Sequence, residues 1–388
     1  MNESSLTYPY FFFLAGDTAQ SVVEGVDFRF QEVRSIGHSL FEGDKRCVPD
    51  KPVTVNVNFR SHSGILNVAA GVLDRLFKAF PKSANTLARD IGAFSGPRPS
   101  LLRDFSLAKL KELVGMIDGI VLLTHDEHVQ ALKEVVGAHV LVFGIRYSKG
   151  LEFPHVVIVD FFKDLTQPHQ KAWKTLLSIR SDQDNPEIEK LKDNAPEVET
   201  QLKLLYTAIT RCSKRLFFAE TKSSKAGDAF RKWCTVTDEE KQMAVEQTVE
   251  FVERLEKSPD EWAASGVNCG MEADSSEELE NSEMWLKQAR FDFEKANSSE
   301  LIERTDAHLM SIGFQMDISK KIRSRESRLS QTDEEQAANV ISSLLQNSLV
   351  EEASKLMNLV LPFVSDYNKK RLVKEVSEHI PTPPDDME

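Results

Sequence analysis

Several things are scarce in this sequence, and each shortage removes a class of protein. There are four cysteines in 388 residues, Cys47, Cys212, Cys234 and Cys269. None stands at the spacing of a metal site, so no metal is expected, and a reduced intracellular chain, nuclear or cytoplasmic, is the plain reading. No apolar run approaches the ~18 residues of a membrane span. The longest near the start, Tyr8 to Ala15, has no basic leader and reads as a buried strand rather than a signal peptide. No Gly-x-x-x-x-Gly-Lys-Ser/Thr occurs anywhere, so the sequence holds no loop of that kind to cradle phosphates. What is present is 41% hydrophobic and 28% charged. That composition suits globular domains, two or three at this length.

Charge is unevenly placed. Residues 1–234 carry 31 Lys+Arg and 28 Asp+Glu, a balance of +3, whereas residues 235–388 carry 17 and 33, a balance of −16, and together they make the net −13. Phosphate contacts need cations, so a polyanion suits the first segment only. The acidic second segment repels nucleic acid and is expected to meet protein.

The first 234 residues alternate strand-like and helix-like patterns. Strands are expected at Pro9–Ala15, Val53–Val57, Ile120–Thr124, Val140–Phe143, Val156–Phe161 and Arg215–Ala219. Helices are expected at Ser63–Phe80, Leu107–Ile117, Glu127–Val136, Val198–Arg211 and Ala226–Trp233. Such alternation implies an α/β domain with a largely parallel sheet, covered on both faces where runs such as Val156–Val159 are apolar throughout. Residues 92–100 read as a surface turn, and residues 180–200 as a polar, acidic, solvated insertion. After Trp233 strand signals vanish and helix starts recur. Ser258-Pro259-Asp260-Glu261 has the form of a capping box with proline at the first helical position. Ser276 and Ser299 are further possible starts, and helical hairpins are expected to follow without a fixed repeat period.

Four constellations in the first segment carry chemistry. Gly16-Asp17-Thr18-Ala19-Gln20 follows a strand pattern, at the carboxyl edge where open α/β sheets bind ligands, and Gln20 could meet a phosphate or a water. Asn58-Phe59-Arg60-Ser61 sets an arginine fork and a stacking ring at a strand-to-helix junction. Tyr147-Ser148-Lys149-Gly150-Leu151-Glu152-Phe153 offers a glycine for close backbone approach, Glu152 for a hydroxyl or metal-bound water, and Arg146 and Lys149 for phosphates. Leu204-Leu205-Tyr206-Thr207-Ala208-Ile209-Thr210-Arg211 is a helix with one apolar face and an arginine at its far end. Taken singly, each has a plain structural reading: a turn, a core phenylalanine beside a surface charge, a balanced basic loop, and a cation complementing a helix dipole. Asp126-Glu127 imitates a metal-binding pair, but Asp126 is better read as a helix N-cap.

In this order the four resemble motifs III to VI of UvrD/Rep-like superfamily 1 helicases, over about residues 8–220. They look most like the divergent branch in TPR and ankyrin repeat-containing proteins, where a Gly-Val-x-Phe-Arg-Phe stretch follows, here Gly25 to Phe30. The resemblance implies a RecA-like lobe. It implies catalytic, γ-phosphate-sensing roles for Gln20, Arg60 and Arg211, and nucleotide contacts from Asp17, Phe59, Gly150 and Glu152. It further implies nucleic-acid contacts from Arg146 and Lys149. Of the family's parts, the phosphate loop and the Asp-Glu pair are missing, and both precede motif III. ATP and Mg2+ would therefore need a first lobe from elsewhere.

The expected organisation is a first-lobe remnant at 1–45, a second RecA-like lobe at 46–234, an α-helical interaction region at 235–380 and a tail at 381–388. The expected function is the C-terminal part of an ATP-dependent helicase or translocase binding single-stranded nucleic acid. The alternative is a non-catalytic protein-interaction scaffold whose acidic helices bind protein.

Overall fold

The computed structural model describes residues 16–20, 30–40, 53–84, 88–137, 140–178, 186–235, 242–323 and 328–379. The strand expected at Pro9–Ala15, the Gly25–Phe28 stretch and most of the expected first-lobe remnant lie outside them. The chain divides into two compact units, one within residues 1–254 and one within 255–388.

The first unit is an α/β unit with eight described strands: β1 (Val57–Asn58), β2 (Ile91–Gly92), β3 (Ser100–Leu102), β4 (Ile120–Thr124), β5 (Leu141–Gly144), β6 (Phe153–Val159), β7 (Cys212–Ala219) and β8 (Val245–Gln247). Six form one sheet in the order β5-β4-β6-β7-β3-β8, and β1 pairs with β2 apart from it. Every described ladder is parallel. All five residues of β4 are buried, as a strand covered on both faces requires.

The helices between the strands are α1 (Phe30–Leu40), α2 (Ser63–Ala79), α3 (Leu107–Met116), α4 (Val129–Val136), α5 (Gln167–Ser178), α6 (Pro186–Glu189), α7 (Leu191–Asn194), α8 (Glu197–Ile209) and α9 (Lys225–Thr235). Helices α2, α5, α8 and α9 pack in one group, and α3 packs with α4. Trp173 of α5 is fully buried and meets Phe161 and Phe162 edge-to-face. Such aromatic pairs add to the area they bury.

Several features depart from the sequence reading, and the strand expected at Val53–Val57 is reduced to Val57–Asn58. Strand β8 lies beyond Trp233, where strand signals vanish; three residues on a sheet edge carry too little pattern to register. The α/β unit accordingly runs to Arg254 rather than ending at 234. Residues 186–200 are not a solvated insertion, because Ile188, Leu191, Ala195 and Val198 are buried. Asp126 is not an N-cap: it opens a 3-10 turn, Asp126–His128, whose N-cap is His125, and its carboxylate pairs with Arg146 at 3.1 Å.

The second unit holds six helices among its described residues: α10 (Pro259–Ser275), α11 (Leu279–Lys295), α12 (Ser299–Arg323), α13 (Gln331–Gln346), α14 (Val350–Val360) and α15 (Asp366–Ser377). Consecutive helices pack on one another across short links, the pattern of helical hairpins. The capping box forms as written: Ser258 Oγ accepts from the Glu261 N–H at 3.3 Å, and Glu261 returns to the Ser258 N–H at 2.9 Å. Ser330 and Asp333 make a second one on α13. Ser276 ends α10 instead of starting a helix. The buried face of α11 is Trp285, Leu286, Ala289 and Phe293, while α13 buries Ala337, Val340, Ile341, Leu344 and Leu345, both at helical spacing. The buried Glu334 carboxylate of α13 accepts from the Ser365 N–H and hydroxyl, each at 2.8 Å, and from Asn368 at 2.5 Å, which fixes the start of α15.

Candidate functional site

Residues from all four constellations meet in the α/β unit. The chain enters at a 3-10 turn, Thr18–Gln20, that packs on α8. Asp17 Oδ1 accepts from the Ala19 N–H at 2.9 Å, as an Asx turn does. Its Oδ2 accepts from the Gln20 amide and the Tyr206 hydroxyl, each at 3.0 Å. Burial pushes the Asp17 carboxyl and the Tyr206 phenol above their ordinary values. The Asp17 charge adds to the shift at Tyr206.

Arg211 is the centre of the cluster and is 2% exposed. Its Nε donates to the Thr207 carbonyl at 3.1 Å and one terminal nitrogen to the Leu151 carbonyl at 3.0 Å. The other donates to Gln20 Oε1 at 2.9 Å and to Thr210 Oγ1 at 3.2 Å. Four of the five guanidinium N–H groups are thus directed at protein oxygens. Burial first, and the nearby Arg60 second, push its pKa below the ordinary arginine value.

Arg60 and Glu152 form an ion pair at the surface. Asn58 Oδ1 accepts from the Arg60 and Ser61 N–H groups at 3.0 and 2.9 Å. The Ser61 hydroxyl donates to the Cys212 carbonyl at 2.6 Å, and His62 Nε2 lies 2.8 Å from the Lys214 carbonyl. These bonds tie the loop after β1 to the start of β7. Asn58 and Ser61 belong to the second constellation read from the sequence, whereas the role of His62 and the anchor of Ser61 were out of reach there, because their partners lie about 150 residues away.

The remaining expected site residues are placed differently. Phe59 is 78% exposed and so is not a core residue. Gly150 has φ +91° and open space where a Cβ would point. Its positive φ favours glycine there. Arg146 is engaged by Asp126, and Lys149 is exposed.

Chemically the cluster closes on itself. Arg60 and Arg211 face Glu152 and Asp17, and Asp90 is close enough to raise the Asp17 pKa. The cluster also sits where β6 and β7 begin, not at the carboxyl edge of the six-stranded sheet where α/β sheets bind ligands.

No protein-family model matches the chain. No solved structure matches it. It is similar to "TPR and ankyrin repeat-containing protein 1" of Homo sapiens, 33% identical over 304 residues that cover 66% of this chain and 10% of that protein. The chain therefore spans about a tenth of the length of this relative. These findings correct the motif-based reading. The relative is a repeat-containing protein and no helicase family is found, so the description as a helicase, an ATP- or nucleotide-binding hydrolase and a nucleic-acid binder is withdrawn. The helical hairpins expected after Trp233 fit a repeat-containing relative. Among the described residues no helix is long and apolar enough to cross a membrane.

Proposed function

We propose that this chain is a non-catalytic protein-interaction scaffold. In this reading the α/β unit is a RecA-like structural lobe and the acidic helical unit is the surface that binds protein. The observation that carries it is the engagement of Arg211 by oxygens of the chain itself. Each of its guanidinium nitrogens is spent on the Thr207, Leu151, Gln20 and Thr210 oxygens. An arginine that stabilises a transferring phosphoryl group must present free donors to it. Here it joins three segments instead, so the constellations read as a folding joint. All-parallel described ladders support the RecA-like description, and similarity to a repeat-containing protein supports the scaffold.

The helical unit suits protein partners on charge. Residues 235–388 hold 17 Lys+Arg against 33 Asp+Glu, and Glu280, Glu300 and Glu303 are exposed on α11 and α12. Acidic surfaces steer basic partners and repel polyanions. The test is capture of partners by the full chain, compared between two variants. The Glu280→Lys/Glu300→Lys/Glu303→Lys chain is expected to lose ~10-fold or more of its partner affinity. The Arg60→Ala/Glu152→Ala chain is expected to bind as the wild type does. The opposite pattern, or ATP hydrolysis by the purified chain that Arg211→Met abolishes, would refute the scaffold.

A further inference from the structure

The geometry points to a divalent transition-metal site, of the zinc class, formed by Asp274, His308 and Glu352 in the helical unit. The three residues stand on different helices: Asp274 in the last turn of α10, His308 within α12 and Glu352 in the first turn of α14. Each offers one ligand atom, and the three atoms lie within 4.8 Å of one another. The proposal is independent of the scaffold reading.

The spacing is looser than that of a hydrogen-bonded ion pair. His308 Nδ1 is 3.8 Å from Asp274 Oδ1, too far for a hydrogen bond. Two ligands each ~2.1 Å from a tetrahedral ion lie ~3.4 Å apart, so small side-chain rotations close the gap on a shared cation. The His308 side chain is only 12% exposed, and among the described residues its ring makes no hydrogen bond. Neither ring nitrogen is sealed from solvent, so both are open to an ion.

Charge points the same way. Two carboxylates converge here, and like charges held together raise each other's energy. Two cations lie nearby, Arg304 and Lys355. The Lys355 ammonium pairs with Glu351 at 3.0 Å. Among the described residues neither cation hydrogen-bonds Asp274 or Glu352.

The backbone that carries the ligands is fixed by the core. Each ligand adjoins a buried alanine: Ala273 beside Asp274, Ala307 beside His308 and Ala353 beside Glu352. Ala307 and Ala353 belong to the hydrophobic cluster shared by α12, α13, α14 and α15. The Ala273 carbonyl accepts from the Ser282 hydroxyl at 2.9 Å, which holds the end of α10 on α11. Ligands on rigid elements with small neighbours are pre-organised for a metal.

One imidazole nitrogen and two carboxylate oxygens suit zinc, whereas an all-oxygen set would suit magnesium or calcium. Asp274 is 57% exposed, so water can complete the coordination on that side. The bound ion joins α10 to α14 through α12 and clamps the first hairpin to the later helices.

The test uses the full chain stripped of metal with a chelator. Equilibrium dialysis against zinc chloride, read by elemental analysis, is expected to give one zinc lost on His308→Gln. Melting temperature is expected to rise by about 5 °C or more at a hundredfold excess over Kd. Cobalt(II) added in place of zinc is expected to give a visible absorption band in the wild type and none in His308→Gln. Asp274→Asn changes an exposed side chain and leaves the apo melting temperature in place. It is expected to weaken zinc at least tenfold, so a folding failure of His308→Gln does not remove the test. Zinc uptake undiminished in both variants, no uptake by the wild type, or binding of magnesium in preference to zinc overturns the site.

Discussion

Glu220 is a residue whose environment opposes its charge. It follows β7, and its two oxygens accept from the Phe162 N–H, each at 3.2 Å. Burial, with the neighbouring Asp160 carboxylate adding to it, pushes its pKa up to about 8 against the downward pull of that N–H. A carboxyl raised in the folded state favours folding while it is protonated. Its contribution is fully present below the ordinary value of 4.5 and is lost as pH rises through about 8. Stability measured by urea unfolding at pH 5, 7 and 9 should therefore fall more steeply in the wild type than in Glu220→Gln. The difference accumulated by pH 9 should be about 2–3 kcal/mol, allowing for residual solvent access. Parallel pH profiles would show that the carboxyl titrates normally. Arg211 teaches a related lesson. Its place at the end of an apolar-faced helix was legible, but the direction of its donors was not, because Gln20 and Leu151 are 191 and 60 residues away.

At the scale of elements, the hairpin of α10 and α11 depends on one close approach. A Cβ on Gly266 would stand 2.5 Å from a ring carbon of Phe293, itself 5% exposed. A Cβ on Gly270, one turn further along the same helix, would meet nothing within 4 Å. Gly266→Ala should thus cost ~1–3 kcal/mol through overpacking. Gly270→Ala should stabilise by up to ~1 kcal/mol, the ordinary helical gain of alanine over glycine. Chemical denaturation of the two variants decides it; equal and opposite-to-expected shifts would mean that the hairpin packs elsewhere. The sequence showed α10 through its capping box and α13 through its apolar spacing. It did not show α5, where Trp173 lies in a stretch of mixed polarity, nor the two- and three-residue strands β2, β3 and β8. In such short elements the partner strand, not the local pattern, decides the conformation.

Across the whole molecule, the described cysteines report on folding without chemistry of their own. Cys212, Cys234 and Cys269 are free and buried. Burial pushes the Cys212 and Cys269 thiols up to about 12 and raises Cys234 as well. Thiolate is the reactive form, so these three should resist a thiol reagent at pH 8 until the chain unfolds. In a urea series Cys212 and Cys234 report opening of the α/β unit, and Cys269 that of the helical unit. Prompt labelling of any of the three in the native chain contradicts their burial. Cys47 lies outside the described residues.

The sequence by itself determined the two-part character of the chain. Alternating strand and helix patterns required an α/β unit, and helix caps with an acidic balance required a helical one. Both signals are local, because periodicity and capping act within a few residues of the chain. It also named Asp17, Gln20, Arg60, Glu152 and Arg211 as a group. Only the tertiary structure decided how that group is joined, since Asp17 holds Gln20, Gln20 holds Arg211 and Arg60 holds Glu152. The convergence of Asp274, His308 and Glu352 was equally out of reach. They are 34 and 44 residues apart in sequence, and only helix packing brings their ligand atoms together. Side-chain type is written in the sequence, but the partners of a donor or the meeting of three ligands depend on directions that packing alone sets.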